Sequence, residues 1–120
     1  MKKRIVIIDD DSRNIFAIKA TLQTRNFECI TFLDASKAIE YLDSQHMVDA
    51  LLIDMMMPEI DGYEAISLIR KIENRKNLPI ISVTAQAMKG DKEKCLHAGA
   101  DHYLSKPIDV DRLLVILSTI

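Results

Sequence analysis

Residues 50–62 read ALLIDMMMPEIDG, and the reading of this stretch decides the fold. Ala50, Leu51, Leu52 and Ile53 run without interruption into one carboxylate, Asp54. A short continuous apolar run is the pattern of a strand covered on both faces, as in a parallel sheet. Met55, Met56, Met57, Pro58 and the pair Asp61-Gly62 then end it. Alone, Asp54 is an ordinary strand-ending turn residue. Beside polar groups from other strand ends, it is a nucleophile at the mouth of a sheet.

The same punctuation recurs along the chain. RIVII (4–8) is a dense β-branched run, followed by the turn and cap residues DDDS. Ile15, Ile18 and Leu22 recur at helical spacing and predict a helix over 12–25. ECITF (28–32) is a second strand, and Asp34 or Ser36 caps a helix carrying Ala38, Ile39 and Leu42. After the stretch at 50–54, Ile66, Ile69 and Ile72 mark a further helix. PIISVT (79–84) is the fourth strand, with Pro79 in its first position, where a missing N–H is tolerated. A helix over 91–98 stops at Gly99, HYLS (102–105) is the fifth strand, and Asp109 caps a last helix carrying Val110, Leu113, Leu114 and Leu117. Five strands alternating with five helices predict an α/β domain with a parallel sheet and right-handed crossovers. Such sheets bind ligands beyond the carboxyl ends of their strands.

The totals narrow the classes. A chain of 120 residues, 48% apolar, suits one domain with its own core. Sixteen basic against 18 acidic residues, with no basic stripe, give no case for direct nucleic-acid binding. No apolar run is long enough to be a membrane segment, and MKKRIVIIDD lacks the apolar stretch of a signal peptide. The expectation is a cytoplasmic protein. Cys29 and Cys95 lie far apart without metal spacing, and are expected as free, buried thiols.

The strand ends carry the chemistry. Asp9, Asp10 and Asp11 follow the first strand, Asp54 ends the third, Ser82-Val83-Thr84 end the fourth, and Ser105-Lys106-Pro107 end the fifth. Gathered carboxylates raise one another's pKa and call for a cation. Lys106 is one candidate. Mg²⁺ is another, since it takes one or two carboxylates and shares phosphate oxygens. Zinc would want His or Cys beside the acids. A carboxylate so placed can attack phosphorus to give an aspartyl phosphate, while metal and lysine neutralise the transferring group. A hydroxyl such as that of Thr84 can bond a phosphoryl oxygen.

The pieces IIDDDS, LLIDMMMPEIDGYE, PIISVTA and AGADHYLSKP, in this order and spacing, resemble the response-regulator receiver domain of two-component phosphorelays. The likeness covers essentially all of 1–120 as one receiver domain. SRNIFAI and AQAMKGDKEKCLHAGADHYLSKPID further resemble receivers of hybrid sensor histidine kinases. The resemblance implies a doubly wound, flavodoxin-like five-stranded sheet in the order 2-1-3-4-5 with five helices. It implies that Asp54 is the phosphoacceptor, that Asp9 and Asp10 hold Mg²⁺ with Asp54, and that the backbone carbonyl of Met56 adds a ligand. Thr84 matches the switch hydroxyl, Ala85 the small residue beside it, Lys106 the paired cation and Tyr103 the switch aromatic. Pro107 is expected after a cis bond. The implied function is a phosphoacceptor signalling module that catalyses only its own phosphorylation and dephosphorylation. Its partner would be a histidine kinase or a histidine phosphotransfer domain. The resemblance also allows a homodimer through helix four, strand five and helix five.

Plainer readings stand beside these. Asp11 is either a support for the metal or the N-cap of the first helix. The three methionines are better loop and core packing than a metal box. His46, His97 and His102 have no ligand spacing, and are expected at the surface or in loops. Tyr103 is otherwise an ordinary edge-strand aromatic, and KGDKEKC (89–95) a solvated helix face. A small aspartyl-phosphate phosphatase would need a second carboxylate two residues after its nucleophile, where Met56 stands. The resemblance implies that Met56 and Gln86 tune phosphoryl loss. A flavin-binding module would need a Ser-, Thr- and Gly-rich first loop in place of DDDS.

Overall fold

The computed structural model of the chain describes residues 2–85 and 89–120. Its elements alternate as the apolar periodicity predicts: β1 (Lys3–Ile8), α1 (Ser12–Thr24), β2 (Phe27–Phe32), α2 (Ala35–Leu42), β3 (Ala50–Asp54), α3 (Gly62–Arg70), β4 (Ile80–Thr84), α4 (Asp91–Ala98), β5 (His102–Ser105) and α5 (Val110–Leu117). One 3₁₀ turn, Glu73–Arg75, precedes β4 and was not expected from the sequence. All strand pairs are parallel, in the order β2-β1-β3-β4-β5. This is the doubly wound arrangement with five α-helices. The order reverses between β1 and β3, so the ligand-binding crevice of such a sheet falls at their carboxyl ends.

Alternation along each strand sorts the side chains between two layers. Val6, Ile8, Leu51, Ile53 and Ile80 pack with Ala38 and Leu42 of α2, Ile66 and Ile69 of α3, and Cys95 of α4. Ile5, Ile7, Leu52, Ile81, Val83 and Leu104 pack with Ile15 and Leu22 of α1 and Leu113 and Leu117 of α5. β3 and β4 are buried along their whole length, which is why their sequences are apolar on both faces.

Caps explain most helix starts. Asp11, Asp34, Asp61 and Asp109 accept hydrogen bonds from the first-turn N–H groups of Arg13, Lys37, Glu64 and Arg112, respectively. Asp11 is therefore the N-cap of α1, one of its two expected roles. α3 ends at Arg70, so Ile72 lies beyond the helix to which the spacing assigned it. Pro79 stands just ahead of β4, and its carbonyl accepts from Leu51 N–H at 2.9 Å. Cys29 and Cys95 are buried and free. Among the described residues no helix is long and apolar enough to cross a membrane.

Candidate functional site at the carboxyl edge

Register brings the acids together. Ile8 pairs with Ile53, so Asp9 and Asp54, each one residue further on, leave adjacent strands side by side. Both are 4% exposed, whereas Asp10 lies open. One carboxylate oxygen from each of Asp9, Asp10 and Asp54 lies within 4.8 Å of the other two. Asp9 Oδ1 accepts the Asp11 N–H at 2.9 Å, and Asp54 Oδ1 accepts the Met56 N–H at 3.1 Å.

Lys106 arrives from further away. β5 stands two strands from β3, about 10 Å, and the long lysine stem crosses the end of β4. Its Nζ lies 3.2 Å from Asp9 Oδ2 and 3.3 Å from Asp54 Oδ2. The Lys106 N–H donates to the Thr84 carbonyl at 2.8 Å, and the Lys106-Pro107 peptide is cis.

One ammonium faces three carboxylates. Burial is the main cause that raises the Asp54 pKa, and the neighbouring Asp9 charge adds to it; the Met56 N–H and Lys106 oppose. Burial lowers the Lys106 pKa, but Asp54 and Asp9 outweigh it and the net shift is upward. By formal charge the basin, with three carboxylates to one ammonium, is anionic. An oxygen-lined, anionic group of this kind fits a hard divalent cation such as Mg²⁺, and the absence of His or Cys from the cluster disfavours zinc.

The loop after Asp54 is held tightly. Met55 N–H donates to Val83 O at 2.8 Å, and Gly62 N–H to Met55 O at 3.1 Å. A Cβ at position 62 would lie 2.5 Å from Met55 Sδ and 2.6 Å from Met55 Cα, so a side chain there would displace the loop. Met55 and Met57 pack in the core, as expected, while Met56 is 49% exposed.

Of the other expected residues, Thr84 and Tyr103 belong to the opposite face of the sheet. Alternation turns Thr84 toward the α2–α4 layer, away from the side that Asp54 shares with Val83's neighbours Leu52 and Ile81. Thr84 is 1% exposed and Ala85 exposed. Tyr103 is half-buried against the same layer as Thr84. Burial foremost, then Asp91 and Cys95, raise the Tyr103 hydroxyl pKa. Gln86 lies outside the described residues. His46 stacks on Tyr41 with ring centroids 4.0 Å apart; His97 is exposed, but His102 is half-buried in β5.

Two arginines were missed by sequence reading. Arg75 is 5% exposed and donates to the carbonyls of Leu42 (2.8 Å), Ser44 (3.2 Å) and His46 (2.6 Å). Arg70 donates to the carbonyls of Gly99, Arg75, Lys76 and Leu78, and pairs with Asp101 at 3.0 Å. The basic residue in the last turn of α3 was a weak signal for Arg70. ENRK offered none for Arg75.

Residues 5–118 match the family described as response regulator receiver domain. The chain is 37% identical over 123 residues to hybrid signal transduction histidine kinase I of Dictyostelium discoideum, covering 98% of this chain and 7% of that protein. It is 32% identical over 114 residues to the polar-differentiation response regulator DivK of Brucella ovis, covering 95% of this chain and 92% of that one. Among solved structures, the receiver domain of sensor histidine kinase PA1611 from Pseudomonas aeruginosa, with magnesium coordinated in its active-site cleft, superposes with a TM-score of 0.90 at 34% identity. That match covers 99% of this chain and 97% of the other. With the strand order and its carboxyl-edge acids already in place, the chain belongs to the response regulator receiver domains of two-component signalling.

Proposed function

We propose that this receiver domain takes a phosphoryl group from a partner's phosphohistidine onto Asp54. A P–O bond forms at an Asp54 carboxylate oxygen as the P–N bond to the donor imidazole breaks, and the electron pair returns to the imidazole nitrogen. The partner is a histidine kinase or a histidine phosphotransfer domain, in keeping with the kinase-linked relatives. The observation that carries the reading is the pairing of buried Asp54 and Asp9 with Lys106 at 3.2–3.3 Å.

Each residue has a separate task. Asp54 is kept from water by burial on β3 and oriented by the Met56 N–H. Lys106 faces the negative charge that grows on the transferred group, where a preplaced cation is worth most. Asp9, Asp10, Asp54 and the Met56 carbonyl would hold Mg²⁺, which supplies further neutralisation of phosphoryl charge when bound. The new charge draws the hydroxyl of Thr84, the last residue of β4, inward past the strand end to bond the phosphoryl oxygens. Tyr103, on the same layer, follows Thr84, and the face formed by α4, β5 and α5 changes its affinity for a partner by a shift between two populations. The module has no separate substrate to turn over. Met56, in place of a second carboxylate, leaves no ready base for rapid hydrolysis.

The test is labelling by acetyl phosphate. Label is expected on Asp54 only, dependent on Mg²⁺, and absent from Asp54→Asn. Equal labelling of Asp54→Asn, or labelling indifferent to chelation, would overturn the reading.

A further inference from the structure

α4 is anchored unequally at its two ends. Its carboxyl end is fixed: Arg70 donates to the Gly99 carbonyl at 3.1 and 2.8 Å, and Gly99, at φ 121°, closes the helix. Its amino end starts at Gly90 with no side-chain cap, and Cys95 is its one fully buried residue. What reaches the first turns is Tyr63, the second residue of α3. Tyr63 Oη donates to Asp91 Oδ1 at 3.5 Å and accepts from the Cys95 thiol at 3.9 Å, while Lys94 Nζ stands 4.5 Å from the centre of its ring. Burial first, then Cys95 and Asp91, raise the Tyr63 pKa, so the hydroxyl keeps the proton it donates.

Tyr63 is also tied to the acidic site. It follows Gly62, whose N–H holds the Met55 carbonyl one residue after Asp54. The ring thus joins the loop behind Asp54 to the first turn of α4.

We propose that Tyr63 is a positioning residue: it latches the first turn of α4 to the start of α3, and the strength of that latch sets how readily the Asp54 site rearranges. The contacts are individually weak, as suits a latch that opens. A hydroxyl bond at 3.5 Å is near the limit of the interaction, and an exposed cation over a ring contributes modestly. Arg70 supplies the fixed pivot at the other end. The consequence for phosphorylation rests on the reading of Asp54 above; the mechanical claim does not.

The experiment is hydrogen exchange on the unphosphorylated, Mg²⁺-free protein, with labelling rates by acetyl phosphate measured alongside. In Tyr63→Ala, amides of 91–94 are expected to exchange about tenfold faster, with β1, β3 and β4 unchanged. Tyr63→Phe keeps the ring and is safe for folding; its 91–94 amides must also exchange faster than the parent's. Labelling is expected to rise about threefold in Tyr63→Ala, because a loosened helix leaves the reactive arrangement more populated. Unchanged exchange in both variants overturns the latch, and so does an equal rise across the sheet, which would mark general destabilisation. A local rise without faster labelling overturns the link to the site. A parent that does not label at all would sink the Asp54 reading, and the exchange result would still decide the latch.

Discussion

The two edges of the sheet both carry buried charge, and they treat it in opposite ways. At the amino edge, Arg75 meets three carbonyls and Arg70 meets four carbonyls and a carboxylate. The acids there are equally occupied. Asp49, just before β3, accepts the Arg4 N–H of the neighbouring β1 at 2.7 Å; Asp101, just before β5, accepts the Ile80 N–H that opens β4 at 2.8 Å. These four charges tie down loops that feed strands. At the carboxyl edge one lysine is shared between two buried carboxylates, and a third acid lies open beside them. Charge that serves the fold is saturated; charge kept in deficit is available for a ligand.

Substitution should expose this contrast. The largest effect is expected from Arg75→Met, about 3 kcal/mol of destabilisation, because charge-assisted bonds are lost and buried carbonyls are left without partners. Denaturant unfolding measures it, and labelling by acetyl phosphate well below the transition should match the parent. Lys106→Met is expected to cost less, about 1–2 kcal/mol, since the lysine is partly exposed and water screens part of the pair. Added Mg²⁺ should restore part of that loss, and no added cation should rescue Arg75→Met. A loss on Lys106→Met that Mg²⁺ leaves untouched would erase the distinction between the edges.

The smallest effect has the opposite sign. Asp54→Asn should stabilise the fold by about 1 kcal/mol, as relief of a strained site commonly does. The folded-state pKa of Asp54 is raised, so the native chain binds more protons than the unfolded one between the ordinary carboxyl value and the raised one. Stability of the parent therefore falls across that window as pH rises, and the advantage of Asp54→Asn should grow through it and vanish below it. Lys106 has the same slope in a higher window: its raised pKa contributes stability that is complete below the ordinary lysine value and fades as pH climbs through the raised one. Thermal melts at a series of pH values check both windows.

The fold was legible because buried parallel strands leave a coarse signal. ALLID and HYLS were bounded to the residue, and the helix over 91–98 likewise. Ile72 was misassigned because an apolar residue just past a helix can still pack on the core it faced. The acidic cluster was legible because strand ends can be counted, and adjacent parallel strands bring their ends together. The arginines were not. Arg75 bonds carbonyls 29 to 33 residues away in segments whose sequence says nothing of a cation. Nor did spacing show that KGDKEKC presents Lys94 and Asp91 to an aromatic ring.

A sheet is a single peptide layer, and here that thinness shortens the route between chemistry and response. Lys106 reaches Asp9 and Asp54 with its ammonium, while its own amide grips the carbonyl of Thr84 at the end of β4. The residue thus bonds the end of β4 through its main chain and the acids of β1 and β3 through its side chain, with no helix between. News from the anionic pocket has only the breadth of two neighbouring strands to cross.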